Sequence, residues 1–187
     1  MWLEAFLTRC RELLRIAPLI LIALFAAMPA GAAPIALSSI LASPIEGTWK
    51  TLNGTELTVA PCPEGFCGTL SWIVIPKQYS AMCEQDKAAF GAAMVDLKNP
   101  DPSLRTRPML GLQILTLKPT NDPLAFTAHI YSAEDGKSYD GNVWVVNNNQ
   151  TLRLGGGCIG SICAVTQDWP KVPTREGTPD FTCEGGQ

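Results

Sequence analysis

A regular succession of short β-type runs constrains this chain more than any other feature. Runs rich in β-branched and aromatic residues alternate with turn residues from Gly47 to Trp169, and the first two runs flank Asn53-Gly54, a strong hairpin signal. Later runs are separated by the turns NDP, EDG and NNN. The pattern predicts eight short strands, folded either as an up-and-down barrel or as a sandwich. We expect a mainly β, eight-stranded antiparallel up-and-down barrel with one short helical insert.

The insert follows the third predicted strand. Residues 79–97 are rich in alanine, and their apolar positions recur at intervals of three and four, which predicts a short helix despite Gly91. Residues 98–111 contain three prolines and are expected to form a loop.

The N-terminal segment has the order of a secretory signal: three arginines, an apolar run and the small-residue stretch PAGAAP. We predict a signal peptide over residues 1–32, cleaved at Ala30-Gly31-Ala32. The alternative is an uncleaved anchor, because the stretch from Ile16 to Ala33 has the minimum length that spans a bilayer. The protein is therefore expected to be periplasmic or secreted, and to contact a membrane only if the segment stays attached.

The rest of the chain divides into a leader over residues 33–44, a barrel domain over 45–169 and a disulfide-tethered tail over 170–187. The formal net charge is −3, and no basic block or stripe occurs after the predicted cleavage point. Nucleic acids and anionic membrane surfaces are therefore not expected as partners.

Six cysteines remain after the predicted cleavage, and an even number in an exported chain predicts three disulfides. They are Cys62, Cys67, Cys83, Cys158, Cys163 and Cys183. A zinc site or a redox centre is less favoured, because both commonly place two residues between paired cysteines, whereas the two short pairs here have four.

Turn residues decide the predicted pairing. Prolines and Gly65 within or beside the first short segment, and glycines including Gly160 in the second, allow each segment to bend back on itself. We therefore predict the local disulfides Cys62–Cys67 and Cys158–Cys163, which leaves Cys83 to pair with Cys183.

Two resemblances to known families follow from motifs. Gly47-Thr48-Trp49 resembles the G-x-W with which lipocalins close the barrel floor. A longer set of positions, from about Gly47 to Trp169, resembles the bacterial secreted family catalogued as domain of unknown function 2147. Besides Gly47-Thr48-Trp49, it comprises Cys62, Cys67-Gly68, Asp96, Asn99-Pro100, Arg107-Pro108, Gly111, Tyr131, Asp135-Gly136-Lys137, Tyr139, Cys158, Cys163 and Trp169.

The second resemblance implies export into a Gram-negative periplasm and a barrel-like β domain, without an established activity. Asp96, Asn99, Pro108, Gly111 and Gly136 are then expected to be structural motif residues. The segments around Cys83 and Cys183 are additions to the common pattern, which supports pairing these two cysteines.

Catalytic chemistry has little support in the sequence. His129 is the only histidine and lies within a predicted strand, and no G-x-S-x-G motif occurs. Six oxidised cysteines would leave no thiol nucleophile. Glu134-Asp135-Gly136 is typical of a hairpin turn and not of a calcium loop. We therefore expect no enzyme activity, no cofactor and no metal.

The loop arginines have two interpretations. Arg105 and Arg107 could bind an anionic ligand at the barrel mouth, because a guanidinium matches carboxylate or phosphate. Alternatively Arg107 pairs with Asp96 and fixes the loop, which the acidic residues of the loop favour.

The aromatic residues likewise fit a ligand site or a core. Trp49, Trp72 and Tyr131 are the candidate ligand contacts, while Trp144 and Trp169 fit a core equally well. Four small residues are expected to leave room for a modest apolar cavity. They are Gly68, Gly111, Ala128 and Gly141.

The function expected from these features is non-enzymatic binding of a small apolar or amphipathic, lipid-like molecule in the barrel. The alternative is a module with a packed core that contacts an envelope protein or the cell wall.

Overall fold

Eight antiparallel strands close into a barrel in the computed structural model, which describes residues 42–160 and 162–183. Each strand pairs with its neighbours in sequence, and β1 also pairs with β8, with Thr48 opposite Val172. The predicted up-and-down barrel is confirmed and the sandwich is excluded. The strands are β1 (Gly47–Lys50), β2 (Glu56–Cys62), β3 (Gly65–Val74), β4 (Gln113–Pro119), β5 (Ala125–Ser132), β6 (Lys137–Val146), β7 (Thr151–Ile159) and β8 (Ile162–Val172).

The connections alternate between the two ends of the barrel because successive strands run in opposite directions. We call the end with the β1–β2, β3–β4, β5–β6 and β7–β8 connections the open end, and the other the closed end. Trp49 lies in the short first strand with none of its surface exposed, and its indole N–H donates to the Ile45 carbonyl at 2.9 Å. The chain that enters β1 is thereby held against the barrel core.

The β3–β4 connection contains two α-helices where one was predicted, and a 3-10 helix over Pro102–Leu104. Helix α1 (Lys77–Gln85) and helix α2 (Lys87–Ala93) are separated at Asp86, whose carboxylate accepts the Ala89 N–H at 3.0 Å and caps α2. The predicted end near residue 97 is wrong, because Val95 already forms a bridge with Pro108. Within the described residues neither helix is long and apolar enough to cross a bilayer.

The glycine-rich segment before Cys158, whose glycines were expected to let the chain bend, belongs instead to β7. Gly155 and Gly156 pair with Thr166 and Val165, and Cys158 lies opposite Cys163. Strand β7 continues through the glycines because β6 and β8 pair with it on either side. Only the tip of the β7–β8 hairpin forms a turn.

The tail contains a ninth strand that the sequence did not reveal. β8 runs to Val172, past the boundary expected at Trp169, and β9 (Asp180–Thr182) then pairs in parallel with β3 over Trp72 to Val74. Phe181 in β9 is buried and packs against Phe90 of α2, with ring centroids 6.3 Å apart.

Three disulfides join the described cysteines, in the pairing that the sequence predicted: Cys62–Cys67, Cys83–Cys183 and Cys158–Cys163. The second fastens the tail to α1 across a sequence separation of 100. The other two each close a single hairpin.

Large apolar side chains fill the barrel toward its closed end, among them Trp49, Leu117, Val143 and Leu152. Gly68 and Gly141 do not leave the room that was expected beside them. A Cβ on Gly68 would lie 3.0 Å from Leu115 Cβ. One on Gly141 would lie 2.5 Å from the Gly155 carbonyl oxygen, so both glycines permit close packing. Gly111 lies before β4 and not within a strand, and has a φ of +76°.

Candidate functional site

The open end of the barrel is covered on one side only. On the β2–β4 side, the helical insert and the tail extend the core with Ile75, Cys83, Leu112 and Phe181, all of them buried. On the β6–β8 side, the strands continue past the packed core and their inner face meets solvent. We call the inner face of β6–β8 at this end the mouth.

The residues of the mouth follow from strand alternation and register. Tyr139 and Gly141 share the inner face of β6 with the buried Val143 and Val145. Gly156 lies opposite both Gly141 and Val165, and these three positions form a row across the wall. Tyr139 is 49% exposed and Val165 61%, although both point inward.

The depth of the mouth is set by the next inward positions of β8. Gln167 is exposed, and Trp169 is buried below it, with its indole N–H 3.3 Å from the Gln167 amide oxygen. A Cβ on Gly156 would have no heavy atom within 4 Å, so the wall beside this floor is bare. The mouth therefore combines apolar walls with one amide and one phenol.

The loop before β4 is fixed by a buried carboxylate. Asp96 is fully buried and accepts hydrogen bonds from the Tyr131 hydroxyl at 2.6 Å and the Asn99 amide at 2.8 Å. Arg107 donates to it from Nε at 2.9 Å and from Nη2 at 2.7 Å. We call these four residues the Asp96 network. It joins both ends of the loop to Tyr131, near the end of β5. This is the second of the two interpretations of Arg107, in which the arginine pairs with Asp96 and fixes the loop.

The network lowers the pKa of Asp96. Burial alone would raise the pKa of this carboxyl, but the hydrogen bonds from Tyr131, Asn99 and Arg107, with the charge of Arg107, outweigh it. The pKa of Tyr131 is raised, first by burial and then by its hydrogen bond to Asp96. Asp96 is therefore an anion with its acceptors engaged, and neither group is poised for proton transfer near neutral pH.

The β5–β6 hairpin packs against the same loop. Gly136 has a φ of +72°, and a Cβ there would lie 2.0 Å from the Lys98 carbonyl oxygen, so only glycine fits. Asp135 in this turn accepts the Tyr139 hydroxyl at 2.5 Å, which lowers the pKa of Asp135 and raises that of Tyr139. The hairpin thereby positions Tyr139 at the edge of the mouth.

The tail crosses the outer face of β2 and β3 through a second ion pair. Arg175 donates to both oxygens of the buried Glu56 at 2.9 Å, and its guanidinium lies 4.2 Å from the Trp72 ring centroid. Glu56 and Trp72 are opposite each other in the sheet. This contact was not foreseen, and the only signal for it in the sequence is an acidic residue at a strand position.

Of the residues predicted as ligand contacts, Arg107 and Tyr131 meet at Asp96, with the guanidinium carbon 5.4 Å from the Tyr131 ring centroid, but the five do not form one site. Trp49 is in the core, Trp72 lies under Arg175, and Tyr131 and Arg107 belong to the Asp96 network. Arg105 donates from Nε to the Asn99 carbonyl at 2.8 Å. All of them have partners within the chain, and the residues of the mouth are different ones.

The other candidates for chemistry also have simple explanations. His129 is exposed on the outer face and contacts Asp140 directly across the β5–β6 pair, at 2.8 Å. The side chains of Cys62, Glu64 and Cys67 lie close enough together to resemble a set of metal ligands. The two cysteines are joined in a disulfide, however, and supply no thiolate.

Comparison with known proteins identifies the family. Residues 47–171, two thirds of the chain, match the family described as "Uncharacterized protein conserved in bacteria (DUF2147)". The chain belongs to this family, as the sequence resemblance suggested. The matched range contains all four residues of the Asp96 network and the Gly136 turn.

One solved structure is similar to part of this chain. Its description is "Protein HP1028 from the human pathogen Helicobacter pylori belongs to the lipocalin family". The identity is 19% and the TM-score 0.49, over 68% of this chain and 82% of that one. No curated protein matches the chain.

Proposed function

We propose that this chain is an exported, non-enzymatic binding protein whose mouth takes one small apolar or amphipathic molecule. The observation that carries the proposal is the exposure of Tyr139 and Val165, which point into the barrel yet remain in contact with water. Burial of such apolar surface by a ligand is favourable, at about 25 cal/mol per Å².

The shape of the mouth restricts the ligand. Trp169 and the packed side chains below it stop an apolar chain from passing through the barrel. Gln167 offers a polar contact at the floor of the mouth, and the Tyr139 hydroxyl offers one near the rim. A ligand with one apolar chain and a polar head that stays outside, such as a fatty acid or a lysophospholipid, fits this arrangement best.

Export is supported by the disulfides. The chain has three disulfides, and disulfides persist in an oxidising compartment such as the periplasm. Lipid-like molecules are also present in that compartment.

The test is a titration with single-chain fatty acids and lysophospholipids, followed by tryptophan fluorescence and calorimetry. Val165→Asp places a charge in the mouth and should weaken binding about tenfold or more. Leu124→Asp is the matched control, because Leu124 is an exposed apolar residue at the closed end. Equal affinity of both variants and the wild type would show that the ligand binds elsewhere.

A second candidate function is contact with an envelope protein. It is favoured by exposed apolar residues around the same end, notably Ile159, which is 88% exposed, and Ile162, which is 79% exposed. A wild-type protein that shows no saturable response to any lipid, but is captured by an envelope protein unless Ile159 is replaced with aspartate, would establish this function instead.

A further inference from the structure

The outer face of β6–β8 carries a groove that is separate from the mouth. It holds about 490 Å³, and lies between the β4–β5 connection and the Cys158–Cys163 disulfide. This volume is within the range of about 300–1,000 Å³ that is usual for small-ligand sites. Its lining includes Asp122, Leu124, Trp144, Arg153, Cys163 and Thr166.

Trp144 is the central residue of the groove. A Cβ on Gly155 would lie 2.9 Å from Trp144 Cζ3 and 2.5 Å from Cys163 Sγ. The indole therefore lies across the bare backbone of Gly155, beside the disulfide, and remains partly exposed on the groove side. Trp49 and Trp72 lie under Lys171 and Arg175, but in the described part of the chain no cation lies over Trp144.

The neighbours of Trp144 are polar and already held in place. Arg153 lies opposite Trp144 and forms a two-pronged ion pair with Asp168, with both distances 2.7 Å. Because this pair uses only Nε and Nη2, the remaining N–H groups of Arg153 can donate to a ligand. Thr166, in the next row, adds a hydroxyl that donates and accepts.

From this arrangement we infer that the groove is a binding site for a pyranose-based saccharide, with Trp144 as the stacking surface. A sugar ring has a face of C–H groups, which matches an indole, and an edge of hydroxyls, which matches Arg153, Thr166 and Asp122. An acyl chain would make no hydrogen bonds to these polar groups along its length. The site lies on the outside of the barrel and does not depend on the function proposed for the mouth.

The experiment is calorimetric titration of the mature protein with chitotetraose, cellotetraose and maltotetraose. At least one should bind saturably, and Trp144→Ala should weaken it about tenfold or more. Because Trp144 also packs on Gly155, a second variant leaves the indole in place. Thr166→Arg fills the groove and should have the same effect, while Thr127→Arg, on the outer face of β5, should bind as the wild type does.

Two further measurements separate this site from its rivals. Val165→Asp should keep saccharide affinity, since the mouth is on the other side of the sheet. The inference is wrong if no saccharide saturates, or if Thr166→Arg binds as tightly as Thr127→Arg. It is also wrong if Thr166→Arg only abolishes self-association in sedimentation, because the groove would then be a protein contact.

Discussion

Replacing Arg107 with alanine should destabilise the domain and leave the mouth intact. The side chain makes two of the four hydrogen bonds to Asp96, a carboxylate with none of its surface exposed. In the variant, Tyr131 and Asn99 still donate, but the charge of Asp96 has no counterion. The chain is unable to move this carboxylate into water without pulling the loop away from β5.

The size of this destabilisation follows from how far Arg107 and Asp96 are buried. Removing one partner of a fully buried ion pair costs about 3–5 kcal/mol. The Arg107 side chain is 34% exposed, so water reaches the gap and replaces part of the lost interaction. We therefore expect a loss of about 2–3 kcal/mol in the free energy of unfolding, or roughly 4–12 °C in melting temperature for a domain of this size.

The assay is urea unfolding of the protein, followed by circular dichroism, with the dependence of unfolding free energy on urea concentration checked for equality between variants. Arg105→Ala is the matched control in the same loop. Arg105 is exposed and makes one hydrogen bond to a backbone carbonyl, so its loss should cost below about 1 kcal/mol. If both variants are equally stable while Arg107→Ala alone loses affinity for an anionic ligand, the structural role argued for Arg107 is refuted.

Three other perturbations test the remaining stabilising contacts. Cys83→Ser with Cys183→Ser opens a long loop and should cost up to about 4.7 kcal/mol in urea unfolding, and a loss under 1 kcal/mol would contradict this. Asp96→Asn should be less stable than the wild type near neutral pH. Because the folded pKa of Asp96 is lowered, its contribution is present above the unfolded pKa and is lost as pH falls through the folded one, so the difference should shrink below about pH 4. Arg175→Ala leaves Glu56 buried without its partner and should cost about 1–2 kcal/mol and speed proteolysis of the tail, whereas unchanged cleavage would show that the disulfide alone holds it.

The barrel could be predicted because its signals are local. Each hairpin has its own turn residues, such as Asn53-Gly54, and each strand has its own alternation. Eight consecutive strands, joined by short hairpins everywhere except between β3 and β4, leave few ways to fold. The glycines of β7 misled the prediction, because glycine is typical of loops and the partner strand that holds Gly155 and Gly156 cannot be read locally. The short strand β9 was not predicted for the same reason, since its three residues adopt strand geometry only because they pair with β3.

The residues of the mouth could not be predicted because they depend on where the packed core stops. In the sequence, Val165 cannot be distinguished from other apolar strand residues. Its exposure results from the length by which β6–β8 extend beyond the insert. The pairing of Arg175 with Glu56 joins positions 119 residues apart and required the path of the tail. Arg107 and Asp96 lie in one loop, so their pairing was among the alternatives from the start.

The division of the barrel into a fastened side and a bare side links its stability to the proposed sites. The Cys83–Cys183 disulfide and the Glu56–Arg175 pair hold the insert and the tail against β1–β3. The Asp96 network ties the loop to β5. In contrast, β6–β8 are braced at the open end mainly by their own pairing and by the Cys158–Cys163 disulfide, which stiffens the hairpin and lies beside Trp144 without covering the mouth. A rigid, uncovered sheet can present Val165 inward and Trp144 outward at little conformational cost on binding. Loss of this disulfide should therefore weaken lipid and saccharide binding together while changing global stability less than loss of Cys83–Cys183, and a variant that keeps both affinities would show that the hairpin needs no brace.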